Sequence, residues 1–423
     1  MMKISNIILS AGARWKEPLL KLLPYELLRR IKGRMIQKSF QNLMDAKIEP
    51  FSRDRFSDGI NLIGNIKAET GLGQSCRLVA EELEASGIPY SIYQYEQLGR
   101  MKEGAYEVYN GKISDALPYN INLIHINPHE LGLAFQQNQD KIWNGRYNIG
   151  FWLWELEEFP EEWVPCFQCV DEIWTPSEFI SKALRKKTDK PVVTIPYHVE
   201  AQPGDYCRED FGLPQERFLF LMMYDKNSMT ERKNPKAVIE AYKKAFRPGE
   251  DVGLVIKCGS CDEAELEMLR KWLNGYQNVY FVTETLSREK VNSLISLVDA
   301  VVSLHRAEGF GLVMAEAMLM GTPVIATNWS SNTEFMNEHV ACMVGYEMIQ
   351  MQRDYGVFRK GNWWADASVD EAAGYMKTLY ENREFGQELA ERARKHIQEV
   401  LSMEQAIERI RDRVSEIYRD EES

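Results

Sequence analysis

Two glutamates eight residues apart, Glu308 and Glu316, flank the turn formed by Gly309, Phe310, Gly311 and Leu312. Carboxylates accept hydrogen bonds from hydroxyls. A glycine turn that opens a helix does something different: it presents backbone N–H groups and the positive helix end to a phosphate. Gly309 and Gly311 allow close approach of that backbone. A sugar nucleotide, with hydroxyls on both sides of its diphosphate, matches this set. The elements that must position it are readable nearby. Residues 300–304 are an apolar run typical of a buried parallel strand, and residues 305–311 form the turn. A helix starts at Leu312, with Val313, Ala317 and Met320 along it; Gly321 ends it and Pro323 blocks its continuation into the strand 323–327.

Other residues stand at comparable junctions. The apolar strand 217–223 runs into a turn carrying Asn227, Ser228, Arg232 and Lys233, followed by a helix over 236–246. Cations there suit a diphosphate. The strand 59–64 leads to a glycine loop with Gly71 and Gly73 and a helix over 76–86. That loop lacks the third glycine and the downstream acid of a dinucleotide site, which argues against NAD. The strand 121–126 opens into a loop with Asn127 and His129, at the strand end where α/β sheets bind ligands. Alternation along that strand points His125 into the domain. Glu155, just past the apolar strand 149–154, either meets an acceptor or opens a helix.

The segment LHRAEGFGLVMAEAM, with its E-x7-E spacing, resembles family-4 glycosyltransferases of the GT-B fold, which are retaining enzymes. The resemblance spans roughly residues 60–400 and rests mainly on 300–335. It implies two Rossmann-like α/β domains facing across a cleft. Glu308 is then expected on the donor sugar, Glu316 on the ribose, and Gly309–Leu312 on the diphosphate. Lys233 matches the family's lysine, whereas the usual upstream arginine is missing, leaving Arg232, Asn227 and Ser228 as substitutes. Gly71 and Gly73 fall at the family's glycine loop, and His129 with Asn127 and Glu155 at the sugar and acceptor. The segments WEL…FP and VDEIWTPSEF resemble enzymes of bacterial surface-polysaccharide synthesis. No Asp-x-Asp occurs in the chain, so a metal-independent reaction without a cofactor is expected. The resemblance implies a GDP-, UDP- or dTDP-sugar as donor and a glycan or lipid-linked glycan as acceptor. Alternatives are a non-catalytic binding or scaffold protein of the same fold, or a sugar-nucleotide epimerase.

With 423 residues, two domains are expected, over 57–200 and 201–396, with a final helix over 397–423 crossing back to the first. The net charge of −12 argues against nucleic-acid binding. Residues 1–48 hold ten Lys or Arg against three acids, a local +7, so the remainder carries −19. With a leucine-rich stripe, this 1–56 extension is a candidate for contact with the cytoplasmic membrane surface, or else a helix packed on the domain. Two Cys-x-x-Cys pairs, Cys166/Cys169 and Cys258/Cys261, superficially suggest zinc. They lie far apart, have no histidine nearby, and read better as small apolar residues in a reducing cytoplasm.

Overall fold

The computed structural model describes residues 39–40, 43, 47–95, 104 and 106–420. Apolar runs with no alternation become strands buried on both faces, and here they assemble into two parallel sheets of six strands. The first contains β1 (Ser57–Gly64), β2 (Tyr90–Gln94), β3 (Tyr119–Ile124), β4 (Tyr147–Phe151), β5 (Glu172–Thr175) and β6 (Val192–Thr194), in the order β2-β1-β3-β4-β5-β6. Its helices include α1 (Gly71–Ser86), α2 (Pro128–Ile142) and α3 (Glu178–Arg185).

The second sheet holds β7 (Phe218–Asp225), β8 (Val252–Gly259), β9 (Val279–Val282), β10 (Ala300–Ser303), β11 (Val324–Thr327) and β12 (Cys342–Val344), ordered β12-β11-β10-β7-β8-β9. Around it lie α4 (Thr230–Lys233), α5 (Pro235–Ala245), α6 (Glu263–Trp272), α7 (Arg288–Leu297) and α8 (Leu312–Met320), then α9 (Val369–Glu381) and α10 (Arg383–Val400). An antiparallel hairpin of β13 (Tyr346–Gln350) and β14 (Trp363–Ala367) is an addition that local patterning did not reveal.

Both sheets reverse strand order in the middle, and that decides where a ligand goes. The chain lays β1 and β2 one way and returns to place β3 on β1's other side. In the second sheet it lays β7, β8 and β9, then returns to place β10 beside β7. Loops leaving the carboxyl ends at such a switch point diverge and leave a crevice. In this chain the segments that follow those strand ends carry Gly71 and Gly73 after β1, Asn127 and His129 after β3, Arg232 and Lys233 after β7, and Glu308 after β10.

The final helix, α11 (Met403–Asp420), packs on α1 of the first domain. Arg411 donates to the Ser86 carbonyl (2.8 Å), and the Tyr418 hydroxyl accepts from Gly59 N–H (3.0 Å) and donates to Asn120 (2.8 Å). Arg413 forks onto the fully buried Glu172 carboxylate.

Three local expectations are corrected. Helix α1 begins at Gly71, not near Cys76, because the Thr70 side chain caps it by accepting from Gly73 N–H (3.1 Å). Residues 127–130 are not a loop: Pro128 sits at the first helical position of α2, where its missing N–H costs nothing, and Asn127 precedes it. The strand expected over 149–154 ends at Phe151. The candidate membrane segment lies almost wholly outside the described residues; of it, Phe40 and Leu43 are buried in a cluster with Leu131 and Phe135 of α2.

The two loop glycines are not equivalent. A β-carbon on Gly73 would lie 2.0 Å from the Ala68 carbonyl oxygen, whereas one on Gly71 would meet nothing within 4 Å. Gly73→Ala is expected to destabilise the protein by about 1–3 kcal/mol through forced backbone movement. Gly71→Ala should leave stability unchanged or slightly raised. Parallel denaturant titrations check the contrast.

Candidate active site

The turn between β7 and α4 is tight. Met229 adopts φ 72°, and its carbonyl accepts from both Arg232 N–H (3.1 Å) and Lys233 N–H (3.2 Å). Both cations therefore fall in the last turn of α4, where the helix dipole favours them. The sequence pattern places them on a turn ahead of the helix over 236–246, and the structure puts them in this short helix instead. Asn234, at φ 53°, then starts α5.

Arg232 is buried, with Nη1 donating to the Ala307 carbonyl (2.7 Å) and Nε to the Ser228 carbonyl (3.2 Å). Its Nη1 is 3.4 Å from Glu308, and its Nη2 reaches across the cleft to within 3.6 Å of Glu155. Lys233 Nζ bonds the other Glu308 oxygen directly. Burial works against the Glu308 charge, but Lys233 and Arg232 outweigh it and bring the pKa down to about 2. Burial and Arg232 lower the Lys233 pKa, while Glu308 supports its protonated form. The pair is ionic, and it occupies the switch point of the second sheet.

The turn that carries Glu308 is held from below. His305 is fully buried; its Nδ1 meets Ser303 (3.1 Å), and its Nε2 faces the Trp329 carbonyl (3.2 Å) and Asn332 Oδ1 (3.1 Å). Two acceptors at Nε2 place the proton there, and burial keeps the ring neutral. Glu308 N–H donates to Ser330 (2.9 Å), and Ser331 donates to the Glu308 carbonyl (2.9 Å). From the first domain, Ser177 donates to the Gly309 carbonyl (3.0 Å). A β-carbon on Gly309 would sit 3.0 Å from the Trp154 carbonyl oxygen, so this glycine marks a place where the two domains are in close contact. Gly311, at φ 101°, turns the chain into α8 and leaves the first N–H groups of that helix without intrahelical acceptors. Phe310 is turned inward, edge-on to Tyr197 at 4.9 Å.

Glu316, one turn into α8, is buried and ion-paired with Arg288 at the start of α7. Sequence reasoning did not name Arg288. Its position directly after the α7 cap Ser287 was the available signal, but nothing local ties it to Glu316.

The crevice thus brings together Arg232, Lys233, Glu308 and Glu155. The remaining candidates are distributed around it. His129 lies at the start of α2 against Trp163 (5.7 Å between rings). The Asn127 side chain accepts from Leu153 N–H (2.9 Å), so it joins the ends of β3 and β4. His125 points inward as alternation requires, stacked on Phe151 and bonded to Ser75 (2.6 Å), with burial lowering its pKa to about 4. Asn227 is exposed on the turn, and Ser228 contributes its carbonyl to Arg232. Cys166 and Cys169 lie in the apolar core, where burial raises both thiol pKa values.

Two Rossmann-like domains with facing switch points define the GT-B fold, and the second carries a cation–carboxylate cluster beside a glycine helix start. In agreement, residues 208–396 match the family described as glycosyl transferases group 1. A trehalose synthase of Rubrobacter xylanophilus is 24% identical over 202 residues, which are 46% of this chain and 42% of that protein, so the chain spans less than half of this relative. Among solved structures, sucrose-phosphate synthase from Thermosynechococcus elongatus superposes with a TM-score of 0.64 at 16% identity, covering 86% of this chain and all of that one. The Anabaena protein HepE, solved with UDP-glucose, gives 0.63 at 14% identity over 84% of this chain and 99% of that one.

Proposed function

We propose that this protein is a glycosyltransferase that moves a sugar, with retention of anomeric configuration, from a nucleotide-sugar donor to a glycan or lipid-linked acceptor in bacterial surface-polysaccharide synthesis. The observation that carries the proposal is the Glu308 carboxylate held between Lys233 and Arg232 beside the Gly309–Leu312 turn. A sugar hydroxyl replaces part of that pairing on Glu308. The released Lys233 ammonium, with the α8 N–H groups, meets the diphosphate as the bond to the anomeric carbon breaks, while Arg232 keeps its place beside Glu308. The acceptor oxygen attacks from the same face, and the departing phosphate oxygen takes its proton. Glu155 and His129 border the acceptor side, and Glu316 takes the ribose.

Cations supplied by side chains make a divalent ion unnecessary for stabilising the leaving group. UDP-sugars are the first donors to test, since HepE was solved with UDP-glucose; GDP- and dTDP-sugars follow. The polysaccharide role rests on the resemblance of residues 154–179, and the lipid-linked acceptor on the +7 charge of residues 1–48. The test is nucleotide release from a donor panel, with and without EDTA, using soluble glycans or anionic vesicles carrying a lipid-linked glycan. Acceptor-dependent release that survives EDTA is expected. Release restored only by manganese or magnesium would overturn the account of the leaving group, and acceptor-independent interconversion of donors would indicate an epimerase.

A further inference from the structure

The hairpin of β13 and β14 belongs to the second domain but reaches the first beside Glu155. Its root is fixed to the turn that carries Glu308: Ala365 N–H donates to the Arg306 carbonyl (3.0 Å), and Arg306 Nε (2.9 Å) and Nη2 (2.7 Å) donate to Asp366. The loop 351–362 between the two strands is braced internally. Met351 N–H donates to the Asn362 carbonyl (2.8 Å) and Gly361 N–H to the Met351 carbonyl (3.0 Å). At the tip, Tyr355 and Phe358 exchange both backbone hydrogen bonds (2.8 and 3.0 Å) around Gly356, at φ 61°. Arg353 ties the loop to Glu231 of α4 (3.1 Å).

From this braced tip two side chains cross to the first domain. Phe358 is only 4% exposed and packs on Trp154, with ring centroids 5.4 Å apart; the Arg232 guanidinium lies 5.9 Å from the Phe358 centroid. Trp154 in turn meets Trp163 edge-on (5.0 Å), the ring against which His129 lies. Arg359 donates from Nε (2.8 Å) and Nη2 (2.6 Å) to Glu162. The two contacts differ in weight. Arg359 and Glu162 are both exposed, so their pair contributes little and is screened by salt. The Phe358 ring removes apolar area from water and contributes the larger share. One aromatic side chain thus closes the crevice beside the bridge from Arg232 to Glu155.

We propose that Phe358 is a water seal on the acceptor side of the crevice, which makes it the residue that favours a glycan hydroxyl over water as the acceptor. The inference rests on the nucleotide-sugar reading above and adds to it a determinant of acceptor choice. Without the seal, a water oxygen bonds to the anomeric carbon as the bond to the leaving phosphate breaks. That phosphate keeps the electron pair and takes the water proton, giving free sugar and nucleoside diphosphate. Closing a site against water suppresses this side reaction. A glycan makes enough contacts to offset the packing lost when the tip lifts, and a water molecule does not.

The test is release of free glucose and UDP from UDP-glucose by the full chain without acceptor, or of the matching products if the wild type prefers another donor. It covers the wild type, Phe358→Ala, Phe358→Leu and Arg359→Gln. Phe358→Ala should hydrolyse the donor about ten-fold or more faster than wild type, the change expected from losing the packing of one buried aromatic ring. Calorimetric affinity for UDP should stay near wild type. Phe358→Leu keeps an apolar side chain in place and should hydrolyse at close to the wild-type rate, and Arg359→Gln should change it only slightly. Unchanged hydrolysis in Phe358→Ala would overturn the seal while leaving the donor reading intact. A joint fall in hydrolysis and UDP affinity would mean that Phe358 only supports the fold of the site, and would also overturn the seal. A wild-type protein that binds no nucleoside diphosphate would overturn both.

Discussion

Replacing Lys233 with alanine should lower the rate of sugar transfer about 10²–10³-fold, corresponding to about 3–4 kcal/mol of lost transition-state stabilisation. The reasoning is electrostatic. The Lys233 ammonium lies beside a largely buried carboxylate, in a site where the second cation, Arg232, is already tied to the Ala307 and Ser228 carbonyls. Arg232 therefore cannot swing over to substitute for it. Single-turnover rates with saturating donor separate this loss from weaker binding, and unchanged turnover would remove Lys233 from the chemistry.

The same variant changes acid stability in a definite direction. The folded-state pKa of Glu308, about 2, lies below the ordinary 4.5. Its charge therefore contributes stability that is fully present above pH 4.5 and is lost as pH falls toward 2. Without Lys233 the Glu308 pKa rises, so the acid-unfolding midpoint should move to higher pH. Circular dichroism across that range reads the shift.

Breaking the Arg413–Glu172 pair should have the largest effect on stability. Glu172 is fully buried, and Arg413 supplies its only full positive charge among the described residues; Trp174 Nε1–H (2.5 Å) and the Tyr147 hydroxyl (3.0 Å) supply neutral donors. Removing one partner of a buried ion pair leaves the other uncompensated and typically costs about 3–5 kcal/mol. Arg413→Ala should lower the urea midpoint accordingly, whereas Arg413→Lys should recover part of the loss. An Arg413→Ala midpoint equal to wild type would mean that the two neutral donors suffice.

Much of this architecture was legible before any coordinates. The strands were apolar runs closed by glycine or polar turns, and the Glu308–Glu316 spacing around Gly309 and Gly311 located the turn that the second sheet presents at its switch point. What stayed hidden depends on long-range pairing. Nothing near Arg288 announces Glu316, and the Asn127 amide is taken up by a backbone N–H 26 residues away. Boundaries failed where a side-chain cap or a proline extended a helix beyond its apolar pattern, as at Thr70 and Pro128. The hairpin of β13 and β14 escaped because its strands are only partly buried, and its order comes from packing such as Trp364 beneath Arg306.

The placement of α11 also constrains how the protein is made. The first domain ends its sheet at Thr194, yet the helix that covers α1 and neutralises Glu172 is encoded at 403–420. At about 5–20 residues per second, a ribosome takes roughly 10–40 seconds to cover the distance between them. During that interval the nascent first domain exposes the surface meant for α11 and holds an unmatched carboxylate, so it cannot reach its final stability until the second domain has been synthesised. Folding in this chain is therefore not a matter of two independent units completed in turn, and a release or stall near residue 400 would strand the first domain in a state open to chaperones and proteases.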